Sequence, residues 1–380
     1  MKTFPNATKS GSQKFKVSEA VFSSWRWQMS HQIGKSLDPN TSLATISDSE
    51  KKGFETLDHL FHAGVTPYYA SLMKDVHSEE DRCPIRLQAL PRAEELFDSL
   101  GEMDPLREKE NSPVREVVHV YPDRVAFCVA ELCPVYCRYC YRKRRGDEAG
   151  LHFNRTIIDR GIRYIAENPG IKDVLITGGD PFIAHDSSIL SLCERLREIP
   201  HVEIIRFGTR TPVTLPYRVT KELAKGLSQF HPVFVNTHFN CVEEVTEEAK
   251  TAIGHLVDHG IMVGNQSVLL KGVNDTPEKM MALLRALICI RVKPYYLFHP
   301  HAVAGTEHLR VGVETGLKIM KSLRGNITGM AIPSYIIDTP SGKVPIGHSH
   351  ILKKEGQDLI LEDVRGEIWR ERGVLEGVYL

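Results

Sequence analysis

No uninterrupted apolar run in this 380-residue chain approaches the roughly 18 residues of a membrane helix, and Met1 to Asn6 lack the apolar core of a signal peptide. The reading is therefore a cytoplasmic protein with no membrane partner. An excess of either charge is also missing. The 48 basic side chains match the 48 acidic ones, which argues against nucleic acid as an electrostatic partner. No G-x-G-x-x-G follows the first strand-like run, so a Rossmann nucleotide site is disfavoured. The sequence holds no internal repeat and no low-complexity segment. It also lacks the second cysteine pair, or the His pair, that a structural zinc site needs.

What the chain does have is Cys133-Pro-Val-Tyr-Cys137-Arg-Tyr-Cys140, followed at once by the basic stretch Tyr141 to Arg145. A redox dithiol would account for Cys137 and Cys140 but not for Cys133. Three thiolates can hold three irons of a cubane iron–sulfur cluster whose full complement is four cysteines. The fourth iron is then open to a small anionic chelator. The other cysteines, Cys83, Cys128, Cys193, Cys241 and Cys289, show no pairing pattern and read as buried small hydrophobes of a reducing compartment.

Residues 1–112 read as a helical N-terminal domain. Ser47 and Glu50 form a capping box, and Gly64 to Pro67 separates two helices. The Gly-, Pro- and charge-rich run from Leu100 to Pro113 marks the boundary. After it the period changes. Short runs that are apolar on both faces recur at 125–130, 173–177, 202–207, 233–236, 261–269, 292–298 and 330–337, as buried parallel strands do. Helical segments at 156–167, 187–198, 220–229, 243–259, 277–289 and 313–323 alternate with them. Thr276 before Pro277 is a helix start, and Gly260 stands where a C-cap glycine belongs. The fold class is α/β: six strand–helix units between 124 and 324, in an open doubly wound sheet or a barrel. Residues 113–345 form this domain, and 346–380 a C-terminal tail. In a barrel, chemistry gathers at the carboxyl ends of the strands, where the cysteine loop falls.

Other residues at strand ends invite a ligand. Thr177-Gly178-Gly179-Asp180 joins two glycines, which let a backbone approach closely, to a carboxylate; a tight strand–helix turn explains the same residues equally well. His238 and Gln266 fall on the fourth and fifth strands. Taken singly, His238 reads as a satisfied polar residue, and Lys343, within Asp338-Thr-Pro-Ser-Gly342-Lys343, as a solvated turn lysine.

Taken together, Arg26–Gln28, Thr66–Tyr69, Tyr121–Arg124, the cysteine run with Arg142, Thr177–Asp180, Arg210–Pro212, Asn236–Asn240, Asn265–Leu270 and Pro294–Tyr296 resemble, in this order, the lysine 2,3-aminomutase family. The likeness runs from about residue 18 to about 347. It implies a partial (βα)6 TIM-like radical S-adenosylmethionine (SAM) barrel that also carries pyridoxal 5'-phosphate (PLP). The implied activity is an isomerase that moves the amino group of an L-α-amino acid from C2 to C3. Cys133, Cys137 and Cys140 would hold a [4Fe-4S] cluster, with Gly178, Gly179, Asp180, His238 and Gln266 around SAM. Lys343 matches the Schiff-base lysine, in a shorter turn with a single glycine before it, and Arg124 matches an arginine near the PLP phosphate. Arg142 matches the arginine that pairs with the substrate carboxylate. Further implications are an electron donor to the cluster and a homo-oligomer assembled through the helical N-terminal part.

One departure concerns the substrate. Of the two aspartates that hold a distal ammonium in the family, Asp338 matches one and His301 replaces the other. Lysine, arginine and glutamate all remain open at this point. A second concerns metal: no cysteine follows Cys289, and Thr276 stands at the other ligand position of the family's added zinc site, so no zinc is expected. Two alternatives stay open from sequence. One is a PLP-dependent radical SAM enzyme with another outcome, such as decarboxylation or modification of a protein-borne lysine; the other is a non-enzymatic iron–sulfur electron carrier.

Overall fold

Nine strands hydrogen-bond in chain order into one sheet: β1 (Val117–Tyr121), β2 (Arg124–Ala130), β3 (Asp173–Gly178), β4 (Ile204–Gly208), β5 (Val233–Thr237), β6 (Met262–Val268), β7 (Lys293–Phe298), β8 (Ser334–Thr339) and β9 (Gly342–Pro345). The structure is a computed structural model that describes residues 4–43, 45–57, 60–75, 83–143, 152–347, 349–356, 358–363 and 365–372. Strands β2 to β8 are parallel, and β1 and β9 pair antiparallel at the two edges. Among the described residues no backbone ladder joins β1 to β9. The edges approach through a side chain: the Tyr121 hydroxyl accepts the Lys343 backbone N–H at 2.8 Å. The result is the open barrel expected for six strand–helix units.

Among the described residues seven short α-helices precede the sheet: α1 (Ala7–Lys14), α2 (Glu19–Phe22), α3 (Trp25–Ser30), α4 (Pro39–Ser42), α5 (Asp48–Leu57), α6 (Pro67–Ser71) and α7 (Pro84–Ala89). The crossovers between parallel strands carry α8 (Arg155–Glu167), α9 (Asp186–Arg197), α10 (Thr211–Thr214), α11 (Lys221–Leu227), α12 (Glu247–Asp258), α13 (Pro277–Cys289) and α14 (Val313–Leu323). The helix signals read from sequence act as expected. Ser47 Oγ accepts the Glu50 N–H while the Glu50 carboxylate accepts the Ser47 N–H. Thr276 caps α13 by accepting from Lys279 N–H, and Gly260 turns the chain after α12 with a φ of +78°. On α12 the residues Ala249, Ala252, Ile253 and Leu256 are buried, and burial of a side chain the size of Ile253 or Leu256 contributes about 1.5–3 kcal/mol.

Three local differences from the sequence reading have physical causes. The helix expected over 243–259 starts at Glu247 instead, because Thr246 caps it and the Glu244 carboxylate folds back onto the Asn240 and Cys241 N–H groups. The strand expected from Met330 begins at Ser334, since Gly329–Ala331 forms a 3-10 turn. Residues 351–371, read as tail, contain a three-stranded antiparallel sheet of β10 (Ile351–Glu355), β11 (Asp358–Glu362) and β12 (Ile368–Glu371). No helix among the described residues is long and apolar enough to cross a membrane.

The helical layer holds the loop that leaves β2. Gln32 Nε2 donates to the Cys133 and Pro134 carbonyls, both at 2.9 Å. Tyr136 N–H reaches the Gly64 carbonyl at 3.0 Å and Arg138 N–H the Gln88 carbonyl at 2.8 Å. The loop therefore satisfies its backbone polar groups on residues far away in sequence. Arg138 places one edge of its guanidinium on Glu95, through Nε at 2.8 Å and Nη2 at 2.6 Å, while Nη1 donates to the His62 carbonyl at 2.7 Å; Lys143 Nζ meets the same carboxylate at 2.8 Å. Burial alone would raise the Glu95 carboxyl, but Arg138 and Lys143 outweigh it and hold it at about 2.

Removing that charge leaves two buried cations without an anion. Glu95→Gln is expected to lose about 3–5 kcal/mol in urea unfolding. Because the folded-state pKa lies below the unfolded value, the Glu95 contribution is complete above the ordinary carboxylate value of about 4.3 and is lost as pH falls toward about 2. The stability gap between wild type and E95Q should narrow across that window; a gap that stays constant there contradicts the assignment.

Candidate active site

The site begins where β2 and β3 end side by side. A Cβ on Gly178, whose φ is +121°, would stand 2.2 Å from the Ala130 carbonyl oxygen, and one on Gly179 would stand 2.5 Å from that of Leu132. These two glycines are needed because their backbone lies against the start of the cysteine loop, where Asp180 N–H also donates to the Leu132 carbonyl at 2.8 Å. Asp180 is buried, and its oxygens accept from Thr209 Oγ1 at 2.5 Å, Arg210 N–H at 2.8 Å and Phe182 N–H at 3.1 Å. Burial raises its carboxyl in spite of these bonds. The acid thus ties the end of β3 to the end of β4.

Cys133, Cys137 and Cys140 are free thiols on this loop. Burial raises the Cys133 thiol, with Asp180, Cys140 and Cys137 adding to the effect; burial and Cys137 push Cys140 up to about 11. Thiols that resist ionisation for these reasons gain most from a cationic partner that takes up their charge. Three cysteine sulfurs on one loop are a donor set that suits a cluster presenting a separate iron to each thiolate. The other cysteines differ: Cys83, Cys128, Cys193 and Cys241 are buried and Cys289 is exposed.

The described basic side chains after Cys140 are both paired. Lys143 is spent on Glu95, and Arg142 forms a fork with buried Glu108 through Nε at 2.9 Å and Nη2 at 2.7 Å. Burial opposes the Arg142 charge, but Glu108 outweighs it and keeps the guanidinium cationic. Its Nη1 meets Thr177 Oγ1 at 3.3 Å, and its backbone N–H meets Cys140 Sγ at 3.4 Å. Arg144 and Arg145 lie outside the described residues.

From Arg142 the residues form a continuous path to Lys343. The guanidinium carbon lies 4.8 Å from the Tyr141 ring centroid, and that ring lies 5.3 Å from the His301 ring. His301 Nε2 stands 3.5 Å from Asp338 Oδ2, an electrostatic approach too long for a well-made hydrogen bond, and has no hydrogen-bonding partner among the described residues. Asp338 Oδ1 is 3.2 Å from Lys343 Nζ. Burial alone would raise the Asp338 carboxyl, yet His301 and Lys343 together hold it below the ordinary carboxylate range. Strand β9 presents Lys343 directly opposite Asp338 of β8. Gly342 has a φ of +133°, and a Cβ there would come 2.9 Å from the Tyr121 hydroxyl, so the single glycine before the lysine is required. The Arg124 guanidinium stacks 3.7 Å from the Tyr121 ring centroid and pairs with Asp123. Although Arg124 opens β2 rather than ending it, Tyr121 links it to Lys343.

His238 follows β5, and Gln266 lies within β6; Arg210 links the His238 carbonyl to Cys137 of the loop. Burial together with nearby Arg210 pushes the His238 imidazole down to about 4, so it is neutral at pH 7. Asn236 Nδ2 and Thr237 Oγ1, at the end of β5, are buried with no hydrogen-bond partner among the described residues. Buried polar atoms of that kind are rare and fit a site that meets a bound molecule. Sequence reasoning missed Glu95, Glu108, Glu244 and Gln88, which are scattered through loops and short helices with no spacing to mark them. Arg210 and Tyr121 were noticed only as parts of motifs.

Comparison with known proteins identifies the family. The radical SAM superfamily model matches residues 128–284. L-lysine 2,3-aminomutase of Fusobacterium nucleatum is 39% identical over 370 residues, covering 97% of this chain and 84% of that protein. The enzyme of the same name from Clostridium subterminale is 39% identical over 355 residues, covering 93% and 84%. Glutamate 2,3-aminomutase of Clostridioides difficile is 38% identical over 353 residues, covering 92% and 82%. With relatives of this identity aligned over nearly its whole length, the chain belongs to the lysine 2,3-aminomutase family of radical SAM isomerases.

Proposed function

We propose that the protein moves the amino group of an L-α-amino acid with a cationic side chain, lysine or arginine, from C2 to C3. The observation that carries this reading is the unbroken path from Cys140 through Arg142, Tyr141, His301 and Asp338 to Lys343, which sets the cysteine loop and the lysine of β9 around one space. In this reading Cys133, Cys137 and Cys140 hold the [4Fe-4S] cluster, and Gly178, Gly179, Asp180, His238 and Gln266 border SAM. Lys343 binds PLP and Arg124 faces its phosphate. When bound, the cluster with SAM supplies hydrogen abstraction, and PLP carries the migrating nitrogen. An external electron donor reduces the cluster.

The protein's own contribution is placement. Glu108 fixes the plane of Arg142, leaving Nη1 with only the Thr177 hydroxyl, at 3.3 Å, among the described residues, and that nitrogen would take the substrate carboxylate. Asp338, anionic and largely buried, favours an ammonium or guanidinium at the far end and opposes a carboxylate. His301 Nε2, lacking a hydrogen-bonding partner among the described residues, adds a polar group to that end. Enclosure of these side chains keeps water away from the reacting carbons. The proposal includes a homo-oligomer formed through residues 1–112, supported by the exposed Phe97, Leu100 and Met103 of that segment.

After anaerobic reconstitution with iron, sulfide, PLP and SAM, lysine or arginine should give a product of unchanged mass; turnover of glutamate alone rejects the cationic assignment. Lys343→Ala should lose turnover and the near-visible PLP absorption while its iron content stays at the wild-type level. His301→Asp restores a second carboxylate, and kcat/KM for lysine should rise roughly 10-fold or more, as expected for an added hydrogen bond to a charged group. No change, or a fall, would show that His301 does not line the side-chain end of the site.

A further inference from the structure

Arg210, just after β4, is a buried guanidinium with every edge occupied. Nε donates to the His238 carbonyl at 3.1 Å. Nη2 donates to Gln88 Oε1 at 2.6 Å and Tyr69 Oη at 3.0 Å, and pairs with the buried Glu244 carboxylate. Nη1 donates to Cys137 Sγ at 2.8 Å. Its backbone N–H holds Asp180, so the same residue touches the β3 turn, the helical layer and one cysteine of the loop. The Glu244 pairing lies on the Nη2 side and leaves Nη1 toward the sulfur, so the cationic end nearest the cysteine is not the end that the carboxylate covers.

We propose that Arg210 donates a charge-assisted hydrogen bond to the Cys137 sulfur while that sulfur ligates the cluster, and so sets the cluster's reduction potential. This rests on the reading of Cys137 as a cluster ligand. Adding an electron makes the cluster and its thiolates more negative. A fixed cation and a hydrogen bond at a ligating sulfur therefore stabilise the reduced state more than the oxidised one and raise the potential. The positions of Tyr69, Gln88 and Glu244 keep the guanidinium in place, so the helical layer acts on the cluster's electronics through Arg210 without touching the cluster. Arg210 is a positioning and tuning residue here; it needs no contact with substrate.

The test is an EPR-monitored redox titration of the reconstituted protein without SAM, for wild type, Arg210→Lys and Arg210→Gln, each at full iron content. R210Q should shift to a more negative midpoint, with R210K, which keeps the charge but loses the fork, in between. Equal midpoints at equal iron content overturn the proposal. Wild-type protein labelled with guanidino-15N arginine provides a readout that does not depend on a variant folding: the reduced cluster should show a weak 15N hyperfine coupling, and absence of that coupling overturns the hydrogen bond. Iron retained by a Cys133→Ala, Cys137→Ala, Cys140→Ala protein would instead overturn the cluster assignment, and the Arg210 proposal with it.

Discussion

The bidentate pairing of Arg138 with Glu95 fixes where the cysteine loop sits, and the rest of the site is placed relative to that loop. Both side chains are almost fully removed from water. An isolated charge at that depth would be very costly, so the loop has one acceptable seat, in which the guanidinium and the carboxylate meet. Gln32, Gly64 and Gln88 complete the seating by taking up the loop's backbone polar groups. The helical N-terminal segment is in this sense part of the site. A barrel alone would leave the loop between β2 and α8 with unpaired carbonyls and a buried cation.

The same device recurs at Arg142 and Arg210. Glu108 holds Arg142, and Glu244 holds Arg210. Each carboxylate neutralises most of the cost of burying a cation while leaving one nitrogen pointed elsewhere: Nη1 of Arg142 toward Thr177, and Nη1 of Arg210 toward Cys137. A guanidinium, planar and with donors on several edges, can serve two partners at once in a way that an ammonium cannot. Substitution of either arginine by lysine would keep the charge and lose this division of labour.

The barrel was legible in the sequence because parallel strands are buried on both faces and read as continuous apolar runs. Arg124–Ala130, Asp173–Gly178 and Lys293–Phe298 all fall where such runs were read. Pro277–Cys289 could be placed to the residue at both ends because its start is marked by Thr276 and Pro277. Strands β1 and β9 left no such trace. β9 is four residues of a Gly/Pro turn, mostly exposed, and becomes a strand only by pairing with β8. The cysteines, Lys343 and Asp338 were legible through their motifs. Glu95, Glu108 and Glu244 were not, since an acid that balances a distant cation looks in sequence like any surface acid. Asp180 shows the converse: its motif drew attention to it as a ligand group, while the structure shows its oxygens bound to the ends of β3 and β4.

Asp338 is where the questions of cofactor and substrate meet. It lies between Lys343 Nζ and His301 Nε2, and both help to hold its carboxyl below the ordinary range against burial. A Lys343 nitrogen drawn toward a carbonyl cofactor would pair less fully with that carboxylate. Positive charge on His301 or on the substrate would then strengthen the balance. Were His301 to supply it, the far end of the site would be neutral and would have little grip on a charged side chain. A substrate that supplies it gains an ion pair in a low-dielectric space and leaves the imidazole free to be neutral and accept a hydrogen bond. A cationic side chain satisfies Asp338 and His301 together, whereas a carboxylate satisfies the histidine only by setting two anions side by side.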